Sequence, residues 1–243
     1  MPSTEVRLQK LTRREFRERM DSGELKACII PVAAIEQHLE HMAMEHDWRS
    51  VNVVARAVAE KLSPQVLVAE GLKVGISEHH MSHPGSLTVR PGTFFSVLND
   101  LIRSVVLAGF ENVLVLNGHG GNVKPTEGVW DQFLREFKGT NLHFLPYWDV
   151  LNQADADELL EGGTQIPWDM PGHAQEWETS IGLARFPENV RTDMWKDQED
   201  QKPSLATAEK GEAFLERIVE RISGKFETII SGELQSENPP YFP

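Results

Sequence analysis

The chain of 243 residues is poor in cysteine and in long apolar runs. Its one cysteine, Cys28, cannot form an internal disulfide, and its place in an apolar segment predicts a buried thiol rather than a nucleophile. No apolar run reaches the ~18 residues of a membrane-spanning helix, and residues 1–10 lack the apolar stretch of a signal peptide. We therefore expect a cytoplasmic protein without membrane contact.

Positive charge is also scarce. The 24 lysine and arginine residues are outnumbered by 37 aspartate and glutamate residues, which gives a net charge of −13. A surface of this sign repels phosphate backbones and anionic lipids, so neither nucleic acid nor membrane is an expected partner. The 40% hydrophobic and 25% charged content is typical of a globular protein, and the length suits one domain over residues 1–243.

Apolar segments that predict strands alternate with patterns that predict helices. The strands are expected at residues 27–33, 65–69, 112–116 and 142–147. Helices are expected from a Thr12/Glu15 capping box, from Asp47, which would lie near an N-cap, from Thr93, from Pro125, after residue 180 and over residues 206–222. This alternation predicts an α/β fold with three αβα layers around a mainly parallel sheet. Residues 152–172 are expected to form a short helix and a mobile substrate flap, and residues 224–243 a tail.

Residue types that bind divalent metals are concentrated in the loops at residues 34–47, 117–122 and 172–180. Carboxylates and imidazoles together suit Zn, Mn or Fe. Since ligands bind at the carboxyl ends of parallel strands, we expect these loops to converge on a pair of ions. Glu36 and His38 would reach different ions, Asp47 would bridge both, His119 would complete one and Glu176 the other.

Other interpretations of the same residues stay open at this point. The motif Asn117-Gly118-His119-Gly120-Gly121-Asn122 also suits a phosphate cradle in a binding module without catalysis, although it lacks the lysine of a P-loop. Asp47 could serve only as a helix cap, and His173 could be a packing residue at a helix start. Trp148 and Trp168 could belong to the core alone.

The motifs together resemble one known family. Glu36-Gln37-His38, Asp47, the glycine-rich motif around His119, and His173 followed by Glu176 and Glu178-Thr179-Ser180 are similar in order and spacing to the creatininase family of metal-dependent amidohydrolases. The resemblance implies a three-layer fold, two divalent ions per subunit, usually Zn or Mn, and often a homohexamer. It assigns proton transfer to His173 and the metal ligands to Glu36, His38, Asp47, His119 and Glu176. We expect Glu178 to support catalysis as a carboxylate behind the ligands or as a helix cap, and not as a ligand.

The resemblance also bears on the substrate. His41-Met42 with Met44, and Trp148 and Trp168 each followed by aspartate, are similar to the members that hydrolyse creatinine, which implies a small cyclic amide or amidine. The expected substrate contacts are Trp148, Trp168, His80, Gly120, Gly121 and Asn122. Because those members carry Tyr-Glu where this chain has Gly120-Gly121, a formamide, a lactone or a short peptide is the alternative substrate.

Overall fold

The computed structural model describes residues 5–161 and 172–240. Four strands form one parallel sheet in the order β2-β1-β3-β4. They are β1 (Ala27–Val32), β2 (Val66–Val68), β3 (Asn112–Asn117) and β4 (Asn141–Pro146). The prediction of a parallel sheet is confirmed.

Eight α-helices are present in the described residues, joined in places by short 3-10 turns. They are α1 (Arg13–Asp21), α2 (His46–Lys61), α3 (Pro91–Leu107), α4 (Val123–Glu127), α5 (Trp130–Glu136), α6 (Gln153–Leu159), α7 (Glu176–Arg185) and α8 (Ala208–Ser231). None of these helices is long and apolar enough to cross a membrane. The Thr12/Glu15 capping box of α1 is confirmed, since each residue's backbone N–H donates to the other's side chain.

The sheet lies between two helical layers. Ala27 and Ile29 of β1 pack into a core with α2, α7 and α8, whereas Cys28 and Ile30 pack into a second core with α1, α3 and α5. This division follows from the alternation of side chains along a strand. Cys28 is fully buried, and burial raises the pKa of its thiol to about 12, as expected for a structural cysteine. The three-layer αβα prediction is confirmed.

Several element boundaries differ from the predictions. Asp47 lies near the N-cap of α2 as expected, but α2 begins one residue earlier than predicted and Asp47 lies buried in its first turn. The helix expected from Pro125 is two short helices separated near Gly128. The last helix continues to Ser231, so the tail expected from residue 224 begins only after it. The short helix expected after residue 152 is α6, while Trp168 and the rest of the expected flap at residues 162–171 lie outside the described residues.

Candidate metal centre

Three carboxylates are buried together at the carboxyl edge of the sheet. Glu36 follows β1, Asp47 lies in the first turn of α2, and Glu178 lies in the first turn of α7. Each is only 3% exposed. Buried carboxylates are costly unless cations or hydrogen-bond donors compensate them, so this edge of the sheet is built to hold positive charge.

Two imidazoles face these carboxylates from either side of Asp47. His119, two residues after β3, places Nδ1 2.9 Å from Asp47 Oδ2 and 3.4 Å from Glu36 Oε1. His38 places Nε2 3.0 Å from Asp47 Oδ1 and 3.8 Å from Glu178 Oε2. Each oxygen of Asp47 therefore faces a different imidazole, and the structure brings together four of the five predicted ligands.

The outer nitrogen of each ring shows what the inner nitrogen can do. His119 Nε2 lies 3.0 Å from the carbonyl oxygen of Ile76, and His38 Nδ1 lies 3.0 Å from that of Glu36. A carbonyl only accepts, so each neutral ring donates its N–H outward and turns a lone pair toward the carboxylates. Metal-binding histidines have this arrangement, in which a carbonyl fixes the tautomer.

Asp47 Oδ2 provides the test of fit for a metal. This oxygen is buried and makes no acceptable hydrogen bond among the described residues, despite its 2.9 Å distance from His119 Nδ1. Two lone pairs at this distance repel each other unless a proton or a metal cation lies between them. An orphaned carboxylate oxygen beside an inward lone pair is therefore a donor set that fits a divalent ion.

The pKa values describe the same demand for positive charge. Burial would lower the pKa of His119, but Asp47 and Glu36 outweigh it and raise that pKa to about 10. Burial would also lower the pKa of His38, but Asp47 and the other carboxylates outweigh it and raise that pKa to about 9. Burial alone would raise the pKa of Asp47, yet His38 and His119 lower it. The cluster therefore favours bound positive charge, whether protons or metal ions.

Glu176 and Glu178 occupy different surroundings. Successive helical residues are about 100° apart, so side chains two positions apart point in nearly opposite directions. Glu178 faces His38, and burial raises the pKa of its carboxyl to about 7. Glu176 Oε1 accepts from Lys210 Nζ at 2.6 Å and from the Glu161 N–H at 3.0 Å. The structure brings Glu178 to the cluster, whereas the expected ligand Glu176 pairs with Lys210.

Two further histidines lie beside the cluster and share one amide. His173 Nδ1 is 3.6 Å and His80 Nε2 is 3.7 Å from Glu36 Oε1, and the two rings stack with centroids 4.5 Å apart. Gln37 Nε2 lies 2.8 Å from His173 Nε2 and 2.9 Å from His80 Nδ1. Sequence reasoning gave Gln37 no role, although its position between Glu36 and His38 was a signal that it faces the site.

Ser77 was also missed. Its hydroxyl donates to Glu36 Oε2, which leaves Glu36 Oε1 facing the imidazoles. The long loop after β2 therefore contributes to the cluster through a hydroxyl as well as through His80. The apolar and polar pattern of the sequence gave no sign of this contact, because the two residues are 41 positions apart.

Four of the six expected substrate contacts, Asn122, Gly121, Gly120 and Trp148, lie in different surroundings. Asn122 is buried and its amide is fully used, accepting from Ile76 N–H and donating to Ala33 O and Asn117 Oδ1. A Cβ at Gly121 would lie 2.3 Å from Ile76 O, whereas one at Gly120 would meet nothing within 4 Å. Trp148 is buried in the core with α2, α7 and α8.

A three-layer αβα fold, with carboxylates and imidazoles that converge at the carboxyl edge of its sheet, defines a metal-binding α/β protein. The family model for creatininase, described as creatinine amidohydrolase, matches residues 9–225. The chain therefore belongs to the creatininase family and is a metal-dependent hydrolase. The family predicted from the motifs is confirmed.

The chain is similar to relatives with different substrates. It is 30% identical to a creatinine amidohydrolase from Pseudomonas putida over 202 residues, which cover 79% of this chain and 76% of that protein. It is 31% identical to a 3-dehydro-scyllo-inosose hydrolase from Thermotoga maritima over 198 residues, covering 81% of this chain and 61% of that protein. A mycofactocin precursor peptide peptidase from Mycobacterium ulcerans is 28% identical over 172 residues, covering 68% and 60%.

Solved structures of creatininase share the fold. One crystal structure of creatinine amidohydrolase superposes with a TM-score of 0.80 at 27% identity, covering 93% of this chain and 98% of the other. A Zn-Zn form of a creatininase variant gives 0.78 at 26% identity, covering 93% and 98%. A Mn form gives 0.77 at 26% identity, covering 92% and 98%. Zn and Mn, two of the metals expected from the sequence, are thus found among its structural neighbours.

Proposed function

We propose that this protein holds two divalent ions, Zn or Mn, with Asp47 between them. The observation that carries the proposal is the division of Asp47, one oxygen facing His38 and the other facing His119. Glu36, Asp47 and His119 would hold one ion, and His38, Asp47 and Glu178 the other. Glu178 takes the place that the sequence gave to Glu176, because Glu178 lies within reach of His38 and His173.

The reaction we propose is hydrolysis of a C–N bond in a small, cyclic amide or amidine such as creatinine. Two divalent ions, when bound, supply a polarised carbonyl and a water of lowered pKa. The similarity to creatinine amidohydrolase, which spans most of both proteins, supports this substrate class. The carboxylates of Glu36, Asp47 and Glu178 would hold the ions, and with them the water and the carbonyl group, in fixed positions, because these side chains are buried.

His173 is the residue we place beside the reacting bond. Its side chain is 32% exposed, so a substrate can reach it, and its Nδ1 faces the same oxygen of Glu36 as His119 does. Burial and then the charge of His38 lower its pKa to about 4. The imidazole is therefore neutral at physiological pH and can donate one N–H toward the substrate.

We propose that substrates approach through an acidic cleft beside Gln37, which would favour neutral or cationic substrates. A cleft of about 590 Å³ reaches Gln37, whose amide contacts His173, and four carboxylates line it: Glu40, Asp197, Glu199 and Asp200. Such a cleft attracts an amidine and repels a phosphate. Two N–H groups of the glycine-rich loop are also occupied, since His119 N–H donates to Asn117 Oδ1 and Asn122 N–H to His119 O. Both observations weigh against the phosphate-binding module.

A different substrate for the same site is the second candidate. The chain is as similar to the scyllo-inosose hydrolase as to creatinine amidohydrolase, at 31% and 30% identity. The open space at Gly120 also leaves room that a side chain would fill. A formamide, a lactone or a short peptide therefore belongs in any substrate test.

Elemental analysis and a substrate panel test the proposal. We expect about two equivalents of Zn or Mn per chain, and hydrolysis of at least one cyclic amide. Asp47→Asn should lose both ions and the activity, whereas exposed Asp131→Asn on α5 should keep both. A protein that binds no divalent metal, or retains its metal in Asp47→Asn, would contradict the binuclear site. The homohexamer stays a prediction that light scattering in solution checks.

A further inference from the structure

Four histidines surround Glu36, and they are held by two kinds of partner. The outer nitrogens of His38 and His119 meet backbone carbonyls, which only accept hydrogen bonds. Those of His80 and His173 meet the side-chain amide of Gln37, which can accept or donate depending on its orientation. The orientation of this one amide therefore decides which nitrogens of His80 and His173 carry protons.

The backbone of Leu39 fixes that orientation. Its N–H donates to Gln37 Oε1 at 2.9 Å, and a backbone N–H can only donate. The other end of the amide must then be the amino group, which has two hydrogens for two acceptors. Leu39 has a φ of 55°, rare for a residue with a side chain, so the loop accepts local strain in the turn that makes this bond. Gln37 is also anchored by its own N–H, which donates to buried Ser86 at 3.0 Å.

The consequence for the two rings is opposite to that for the metal ligands. Because Gln37 donates to His173 Nε2 and His80 Nδ1, the protons of the neutral rings lie on His173 Nδ1 and His80 Nε2. Those are the nitrogens that face Glu36 Oε1, at 3.6 and 3.7 Å. An N–H cannot coordinate a metal, so these rings are excluded from the ligand set although their distances would permit it.

We infer that Gln37 is a positioning residue that holds His80 and His173 as a pair of inward hydrogen-bond donors for the substrate's carbonyl oxygen. The inference rests on the proposed function, whose substrate would lie between these donors and the ions. It also changes the role expected for His173. To pass on its Nδ1 proton, the ring would have to gain one at Nε2, which the Gln37 amino group opposes. His173 therefore stabilises developing negative charge by donation and does not carry a proton to the leaving nitrogen.

Nitrogen-15 NMR of histidine-labelled protein tests the tautomers directly, with and without Zn. A bare ring nitrogen and a protonated one have well-separated shifts. In the wild type we expect His173 Nε2 and His80 Nδ1 to be bare, and in Gln37→Glu we expect His173 Nε2 to be protonated, because a carboxylate only accepts. A protonated His173 Nε2 in the wild type, or an unchanged one in Gln37→Glu, would overturn the inference.

Kinetics test the role in the reaction, using the best substrate of the amide panel. Gln37→Glu and Gln37→Met should lower kcat by about 10²–10³-fold, the usual effect of losing a donor to an oxyanion, with a smaller change in KM and no loss of metal. Gln132→Glu adds the same charge on the exposed side of α5 and should behave as the wild type. Wild-type kcat in both Gln37 variants would refute the role.

The two failures are distinguishable. The wild-type NMR spectrum needs neither a folded variant nor hydrolysis, so it decides the tautomers even if every substrate fails. A wild type with bare His173 Nε2 but no metal and no activity would remove the proposed function and leave the tautomer assignment standing. An active binuclear wild type with a protonated His173 Nε2 would do the reverse.

Discussion

If Glu178 rather than Glu176 is the metal ligand, the same substitution, glutamate to glutamine, should have opposite effects at the two positions. Glu178→Gln removes a charge that faces His38, and Glu176→Gln removes one that pairs with Lys210. The first should lose one of the two ions and lower kcat by at least about 10²-fold, the scale on which metal-site substitutions act. The second should keep both ions.

The stability of the two variants should also change in opposite directions. Glu176 is 4% exposed, and Lys210 Nζ also donates to Glu161 and to the carbonyl oxygen of Leu205, so loss of the Glu176 charge should cost about 1.5–3 kcal/mol, as for a hydrogen bond to a charged group. At about 2–4 °C per kcal/mol for a chain of this size, the unfolding temperature of Glu176→Gln should fall by roughly 3–12 °C. The same change should appear with and without metal, because this pair lies outside the proposed ligand set.

In the metal-free protein the charge of Glu178 lowers stability, whereas that of Glu176 raises it. Burial raises its folded-state pKa from 4.5 to about 7, so its ionisation costs stability that is present below pH 4.5 and lost as the pH rises through 7. At ~1.4 kcal/mol per pKa unit the loss is on the order of 3 kcal/mol. Metal-free Glu178→Gln should therefore unfold at a higher temperature than the metal-free wild type at pH 8, and at a similar one at pH 4.5.

Elemental analysis, calorimetry and kcat on both variants decide the matter. Loss of an ion from Glu176→Gln, together with two retained ions in Glu178→Gln, would show that the reassignment is mistaken. Destabilisation of the metal-free protein by Glu178→Gln at pH 8 would refute the electrostatic reasoning even if the metal content agreed.

Three further predictions concern other parts of the molecule. Removing the ions with EDTA should lower the unfolding temperature, and adding Zn or Mn should restore it, since ligands that bind only the folded state stabilise it. Gly121→Ala should destabilise the protein by on the order of 2 kcal/mol and weaken metal binding, because the new Cβ would press on Ile76 O and the His119 ring. Gly120→Ala should be tolerated, since its Cβ would meet nothing within 4 Å. Equal unfolding temperatures of the two variants would contradict this prediction. Burial would raise the pKa of Asp155, but Arg221 and Arg217 outweigh it and lower that pKa from 3.8 to about 2. The ionised Asp155 therefore contributes about 2 kcal/mol to the stability of the folded protein above pH 4, and this contribution is lost as the pH falls toward 2. The difference in urea-unfolding free energy between the wild type and Asp155→Asn should shrink over that range, and a constant difference would count against it.

The fold, and the meeting of four of the five predicted ligands in one cluster, could be predicted because they follow from local rules. The strands read as continuous apolar runs, as buried parallel strands do, and the ligand loops follow their carboxyl ends. Glu36, His38, Asp47 and His119 were found in this way. Their neighbours Gln37 and Ser77 were not, because their partners lie 136 and 41 positions away along the chain.

The errors have equally specific causes. The sequence could not show which glutamate of α7 faces the cluster, because all residues from Glu176 to Gly182 are buried and no exposed polar face marks the outside of the helix. The C-terminal helix was expected to end at Ile222, with a proline- and serine-containing tail after it. The helix continues because Phe226 and Ile229 pack into the core. Tertiary burial outweighed local preference in both places.

The side chain of Asn122 joins the loops that follow β1, β2 and β3 through Ala33, Ile76 and Asn117. A change in the width of the cluster on that side must therefore move three connections at once, so its dimensions are a property of the whole scaffold. Gly120 stands outside this link and borders open space. A substitution at Gly120 can thus alter that border while the buried carboxylates and imidazoles stay in place.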